Sequence, residues 1–115
     1  MLLSLMNNMQ QQDQVQGRSN MRVKDVAEAF CKGNSGFSIH LRSSGTKLVS
    51  YNTTIAQKTF IDPLLPKFIL NTTKYSRTTS IHLGYTRRFL ENNSIKYIVT
   101  TKYVPKCTYN LTKYL

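Results

Sequence analysis

The sequence predicts an α+β domain, a small and mostly antiparallel sheet of about four strands with two helices, in the order α-β-β-β-α-β. Three observations lead there. Val23, Val26, Ala27 and Phe30 recur at helical spacing near the start of the readable chain. After Gly36 the apolar residues switch to period two. A second helical stretch, from about Thr79 to Asn92, separates the first three strands from the last.

The 115 residues suit one compact domain. Residues 1–20 carry a glutamine run (Gln10, Gln11, Gln12, Gln14, Gln16) without apolar periodicity, and are expected to form a disordered lead-in. The domain is then expected over 21–105, with a basic tail over 106–115. In the first helix, Gly33 and Asn34 supply a C-terminal stop after Cys31. Phe37, Ile39 and Leu41 alternate with Ser38, His40 and Arg42, the pattern of a half-buried strand ended by Ser43-Ser44-Gly45. Lys47 to Ala56, rich in β-branched and aromatic residues, reads as its hairpin partner.

Asp62-Pro63-Leu64-Leu65-Pro66 is a connection, because two prolines three apart break a ladder. Lys67 to Asn71 is the third strand. The hydroxyl-rich run from Asn71 to Ser80 suits a loop and a helix cap. In the helix that follows, Ile81, Tyr85 and Phe89, with His82 and Leu90, are expected to face inward, and Arg87 and Arg88 outward. Gly84 weakens a helix by about 1 kcal/mol relative to alanine, so close packing against a neighbour is expected there. Ile95, Tyr97, Val99 and Thr101 alternate with Lys96, Ile98, Thr100 and Lys102 in a fourth strand with both phases partly apolar, stopped by Pro105.

Charge narrows the function. Sixteen Lys and Arg against five Asp and Glu give a formal net charge of +11. Solubility asks for only about 2 to 8 on a small domain. An excess of this size draws polyanions, with nucleic acid first, an acidic protein surface second and an anionic membrane third. No apolar run approaches the roughly 20 residues of a membrane span, and Met1 to Met6 is too short for a signal-peptide core. Sequons begin at Asn52, Asn71, Asn92 and Asn110, and are read as a by-product of an Asn- and Thr-rich chain.

Catalytic chemistry is poorly provided for. The five acids form no pair suited to acid–base work, and no nucleophile-elbow or Gly-rich phosphate loop occurs. Cys31 and Cys107 lack metal-type spacing with each other or with His40 and His82, and are expected as free thiols. No metal or cofactor is expected. A small hydrolase or nuclease recruiting His82 is the alternative.

Two surfaces are candidates for binding. Ser76, Arg77, Thr78, Thr79, Ser80 and His82 surround a predicted helix entrance, where free N–H groups and the helix dipole favour an anion. Arg87 and Arg88 add bidentate donors. The competing role is simple capping by Thr78, Thr79 or Ser80, with the other hydroxyls satisfying the loop backbone. The C-terminal stretch interleaves lysine and tyrosine through Lys96, Lys102, Tyr103 and Lys106, cations for a backbone and rings for base stacking. Guarding a sheet edge is the competing role for those lysines.

Ser50 to Ala56, followed about twenty residues later by Asn71 to His82, resembles a family of small proteins from bacteriophages, plasmids and bacterial mobile elements that has no assigned activity. The resemblance covers roughly Val23 to Leu90. The Phe60–Pro66 insert, Gly84 and the Tyr/Lys tail depart from the family pattern. The resemblance implies an accessory gene of a phage or mobile element, a class that includes anti-CRISPR inhibitors of host defence, acting in the bacterial cytoplasm. The expected partner is then a nucleic acid or a nucleoprotein such as a CRISPR effector. A DNA- or RNA-binding regulator of the element itself is the alternative.

Overall fold

A computed structural model describes residues 21–59 and 67–115, so the expected lead-in and the Asp62–Pro66 connection lie outside the described residues. Helix α1 spans Val23–Cys31 and buries Val26, Ala27, Phe30 and Cys31, the face its spacing predicts. Six strands follow: β1 (Ser35–Phe37), β2 (Leu41–Ser44), β3 (Lys47–Ser50), β4 (Thr53–Thr59), β5 (Lys67–Leu70) and β6 (Tyr97–Val99). Helix α2, Arg77–Asn92, lies between β5 and β6, and a short 3-10 helix closes the chain at Thr112–Tyr114.

The α+β class holds, with a larger sheet than expected. The strands stand side by side in sequence order, antiparallel except for β5 and β6. That pair is parallel because α2 carries the chain back across the sheet before β6 begins. The observed order is therefore α-β-β-β-β-β-α-β.

Two expected strands are each folded in half. Across Phe37 to Arg42 the chain turns, with the Ser38 amide donating to the Leu41 carbonyl at 2.7 Å. Phe37 and Ile39 consequently stand 46% and 72% exposed rather than inward. Lys47 to Ala56 folds at Tyr51-Asn52, where Ser50 pairs with Thr53. Doubling back brings Leu41, Leu48, Ile55, Ala56, Phe68 and Leu70 into one cluster beneath Val26 and Phe30 of α1 and Leu83 and Leu90 of α2. Each leucine, isoleucine, valine or phenylalanine side chain of this kind, when fully buried, contributes about 1.5–3 kcal/mol.

The opposite sheet face is also covered. Ile69 points away from the helices and packs with Val104 and Leu111, while Ile98, Tyr114 and Leu115 border them. The strand run Phe68-Ile69-Leu70 is thus buried on both faces. The C-terminal segment is tied down by polar contacts as well. Gln57 donates to Asn110 at 3.1 Å and accepts from the Leu111 amide at 2.9 Å. The Thr54 amide donates to the Thr108 carbonyl at 2.9 Å, and Lys47 Nζ donates to the Tyr109 carbonyl at 3.0 Å.

Helix α2 is turned only partly from the expected face: His82 and Leu90 are buried as expected. Thr79, His82, Leu83, Thr86 and Leu90 are buried, whereas Ile81 is 47% exposed. Tyr85 and Phe89 are half-buried, and Arg87 and Arg88 are exposed as expected. Close packing does not explain Gly84. A Cβ there would meet only the Arg88 guanidinium, at 3.7 Å. Gly45 is the glycine that geometry demands: its φ is +95°, and a Cβ would stand 2.8 Å from the Gly33 carbonyl oxygen. No helix among the described residues is long and apolar enough to cross a membrane.

Candidate functional site

Ser76 caps α2. Its backbone is extended, and its hydroxyl accepts from the Thr79 amide at 3.2 Å. The cap is therefore Ser76 rather than Thr78, Thr79 or Ser80, and the helix begins at Arg77, two residues before the expected start. The network continues inward from there. Thr79 Oγ1 lies 3.2 Å from both Ser76 Oγ and Ser50 Oγ, and Ser50 Oγ lies 2.8 Å from His82 Nδ1. Ser50 and His82 are 1% and 3% exposed, so this chain locks the end of β3 against the first two turns of α2.

A serine hydroxyl beside an imidazole nitrogen is the first requirement of a nucleophile–base pair. Here the hydroxyl is buried and shared with Thr79, and no carboxylate among the described residues bonds the ring. The pair bridges β3 and α2. Burial, and then the neighbouring His40, pushes the His82 imidazole below its ordinary value of 6.5. The folded chain therefore binds fewer protons at His82 than the unfolded chain once the pH drops below that value. Stability is indifferent to His82 at higher pH and falls as the pH descends through 6.5. Urea midpoints measured from about pH 7.5 down to pH 5.5 should decline in the native protein and decline less in His82→Gln. Equal declines would remove His82 from the explanation.

In front of this network opens a cleft of about 390 Å³, lined by Ser50, Tyr51, Thr53, Tyr75, Ser76, Thr78, Thr79 and Lys106. Three separate parts of the chain meet there: the β3–β4 turn, the α2 entrance and the C-terminal segment. Tyr75 links the last two. Its hydroxyl accepts from Asn71 Nδ2 at 3.0 Å and donates to the Val104 carbonyl. Thr53 Oγ1 accepts from the Cys107 amide at 2.8 Å, which fixes the backbone next to Lys106. Arg77, between two lining residues, is exposed.

A neighbouring groove of about 460 Å³ shares Tyr51 and adds Phe37, Ile39, His40 and Arg42. Arg42 Nη1 donates to the Tyr51 carbonyl at 3.2 Å, so its charge sits beside the turn. None of the three described acids lines either cavity. Asp25 is paired with Arg22 at 2.9 Å, Glu28 lies 3.9 Å from Lys24, and Glu91 accepts from the Tyr97 hydroxyl at 2.6 Å.

Of the residues proposed from sequence, Ser76, Thr78, Thr79 and Lys106 meet at the cleft, Arg77 is exposed between two of them in sequence, and His82 is buried beside Ser50. Ser80 and Arg87 instead line a smaller groove with Lys74 and Leu83, and Arg88 lies over the Tyr85 ring, 5.2 Å from its centroid. Lys96 and Lys102 are exposed, and so is Tyr103 at 68%. Sequence reasoning missed Ser50, Tyr51 and Thr53 as part of the same place, whereas Tyr75 belongs to the hydroxyl-rich run it singled out. The signal available for the first three was Asn52, a turn-forming residue inside a run taken for a continuous strand.

The two cysteines are free thiols. Cys31 is buried in the helix-side core, which pushes its thiol up to about 12 and leaves it inert; Cys107 is exposed. Among the described residues, no three His, Cys, Asp or Glu side chains gather where they could hold a metal ion. No protein-family model matches the chain, and no curated protein or solved structure matches it significantly.

Proposed function

We propose that the protein is a non-enzymatic nucleic-acid binder whose working surface is the cleft between the Tyr51 turn, the α2 entrance and Lys106. One observation carries the reading: both candidate regions contribute to one concavity that none of the described acids lines, on a chain of net charge +11. Arg77 and Lys106 neutralise phosphates there, Arg42 extends the positive rim, and Ser76 and Thr78 offer hydroxyls to the backbone. Tyr51 and Tyr75 supply rings in the same walls. The Ser50–His82 pair holds the mouth in shape and performs no chemistry.

A second reading has its own support. Phe37 and Ile39 are exposed beside Arg42, a mixed apolar and cationic patch suited to a protein partner. Together with the resemblance to mobile-element proteins, it favours a nucleoprotein, such as a defence effector, whose nucleic-acid channel the protein would occupy. Capture from a bacterial lysate, with and without nuclease, tests both. Nucleic acid that copurifies and is lost after nuclease supports the first reading. A protein complex retained after nuclease supports the second, and recovery of neither contradicts both.

A further inference from the structure

We infer that the stacked pair His40–Tyr51 is a platform for an unpaired base, so that the nucleic acid bound is single-stranded. The inference rests on the nucleic-acid reading above. The rings of His40 and Tyr51 lie 4.5 Å apart at an interplanar angle of 17°. The Tyr51 ring in turn lies 6.5 Å from that of His82 at 26°. Three nearly parallel rings thus form a ladder from surface to interior: His40 is exposed, Tyr51 is 43% exposed and His82 is 3% exposed. A ladder anchored in the core and open at its outer end is built to take one more ring.

The backbone beneath it is unusual for the residue it carries. Tyr51 has φ +56°, a left-handed conformation that a bulky side chain rarely adopts, in a two-residue turn where glycine or asparagine would fit without strain. The Tyr51 amide donates to the His40 carbonyl at 2.7 Å, and Arg42 holds the Tyr51 carbonyl from the other side. Both contacts fix the ring where it stacks on His40. Strain maintained at an exposed aromatic residue points to use of the ring itself.

Cations complete the recognition. Arg42 lines the groove beside the stack, and Lys106 lines the cleft on the other side of Tyr51. A single strand presents free base faces and phosphates together, which matches rings flanked by cations. A duplex hides its base faces within the stack and can engage only the charges.

The chain contains no tryptophan, which permits a direct test. In His40→Trp, the sole indole sits at the outer end of the ladder. Titration with an oligothymidylate of about twelve nucleotides should quench its fluorescence, and the same strand in a duplex should not. Independently, anisotropy of a fluorescein-labelled oligothymidylate should show affinity falling about tenfold in His40→Ala and in Tyr51→Asn, with duplex affinity unchanged. Tyr51→Asn suits the left-handed backbone, so folding is preserved. Binding of the oligothymidylate without quenching, and with both variants equal to the native protein, would overturn the stacking platform while leaving the charge-based reading intact. Absence of binding to either strand form at low salt would overturn both.

Discussion

Replacing Leu111 with alanine is expected to destabilise the protein by about 3 kcal/mol, one of the largest effects available from a single substitution outside the helix-side core. Leu111 is fully buried against Ile69 and Val104, on the sheet face opposite the helices. Truncation removes its transfer free energy and leaves a void that backbone pinned by Gln57 cannot close. A domain of this size has about 5–15 kcal/mol in total, so the loss would show as a clear drop in urea midpoint. Tyr109, 64% exposed two residues earlier, should cost less than about 1 kcal/mol when changed to alanine, although its ring lies 3.7 Å from Lys47 Nζ. A negligible effect at Leu111, no larger than that at Tyr109, would mean that residues 106–115 are not part of the folded unit.

The second large effect concerns charge. Arg77→Glu combined with Lys106→Glu is expected to lower nucleic-acid affinity by about tenfold or more at low salt, and to flatten its salt dependence by roughly one phosphate contact per residue. Stability should not follow. Arg77 is the first residue of α2, where a cation opposes the helix dipole, and α2 has no acid in its first turn. A glutamate there should raise stability by about 0.3–1 kcal/mol. Keeping arginine at that position runs against the needs of the helix, which is what a binding residue would do. Thermal unfolding read beside anisotropy separates the two roles. Loss of binding together with loss of folding would make Arg77 structural.

What the sequence made legible follows from how each element marks itself. Helix α1 announces its buried face because that face is apolar at Val26, Ala27 and Phe30 and the other is not. Helix α2 announces its existence but only part of its face, with Leu90 and His82 inward as expected. Three of its buried residues, Thr79, His82 and Thr86, are polar and satisfied by hydrogen bonds, while the apolar Ile81 is exposed. Periodicity counts hydrophobicity and cannot see a buried polar network.

The strands were misread for a related reason. Phe37, Ile39 and Leu41 alternate across a turn that contains no glycine or proline, and Tyr51 adopts a conformation that turn rules assign to glycine or asparagine. The covering of the second sheet face left one trace, the continuous apolar run Phe68-Ile69-Leu70, which signals burial on both sides. Its partner is irregular backbone with two buried side chains, Val104 and Leu111, and so has no period to detect. The cleft was half legible. Charge and hydroxyl density marked Ser76 to Thr79 and Lys106, but only the fold brings them beside Ser50 and Tyr51, about 25 to 55 residues away in sequence.

The most direct test of a nucleic-acid role is the salt dependence of binding by the unmodified protein, read by anisotropy with a labelled oligothymidylate between about 50 and 200 mM salt. Single strands release about 0.7 counterion per phosphate neutralised, so engagement by Arg42, Arg77 and Lys106 predicts a log–log slope near −2. Affinity that is undetectable at the lowest salt, or that does not change across the range, would contradict it.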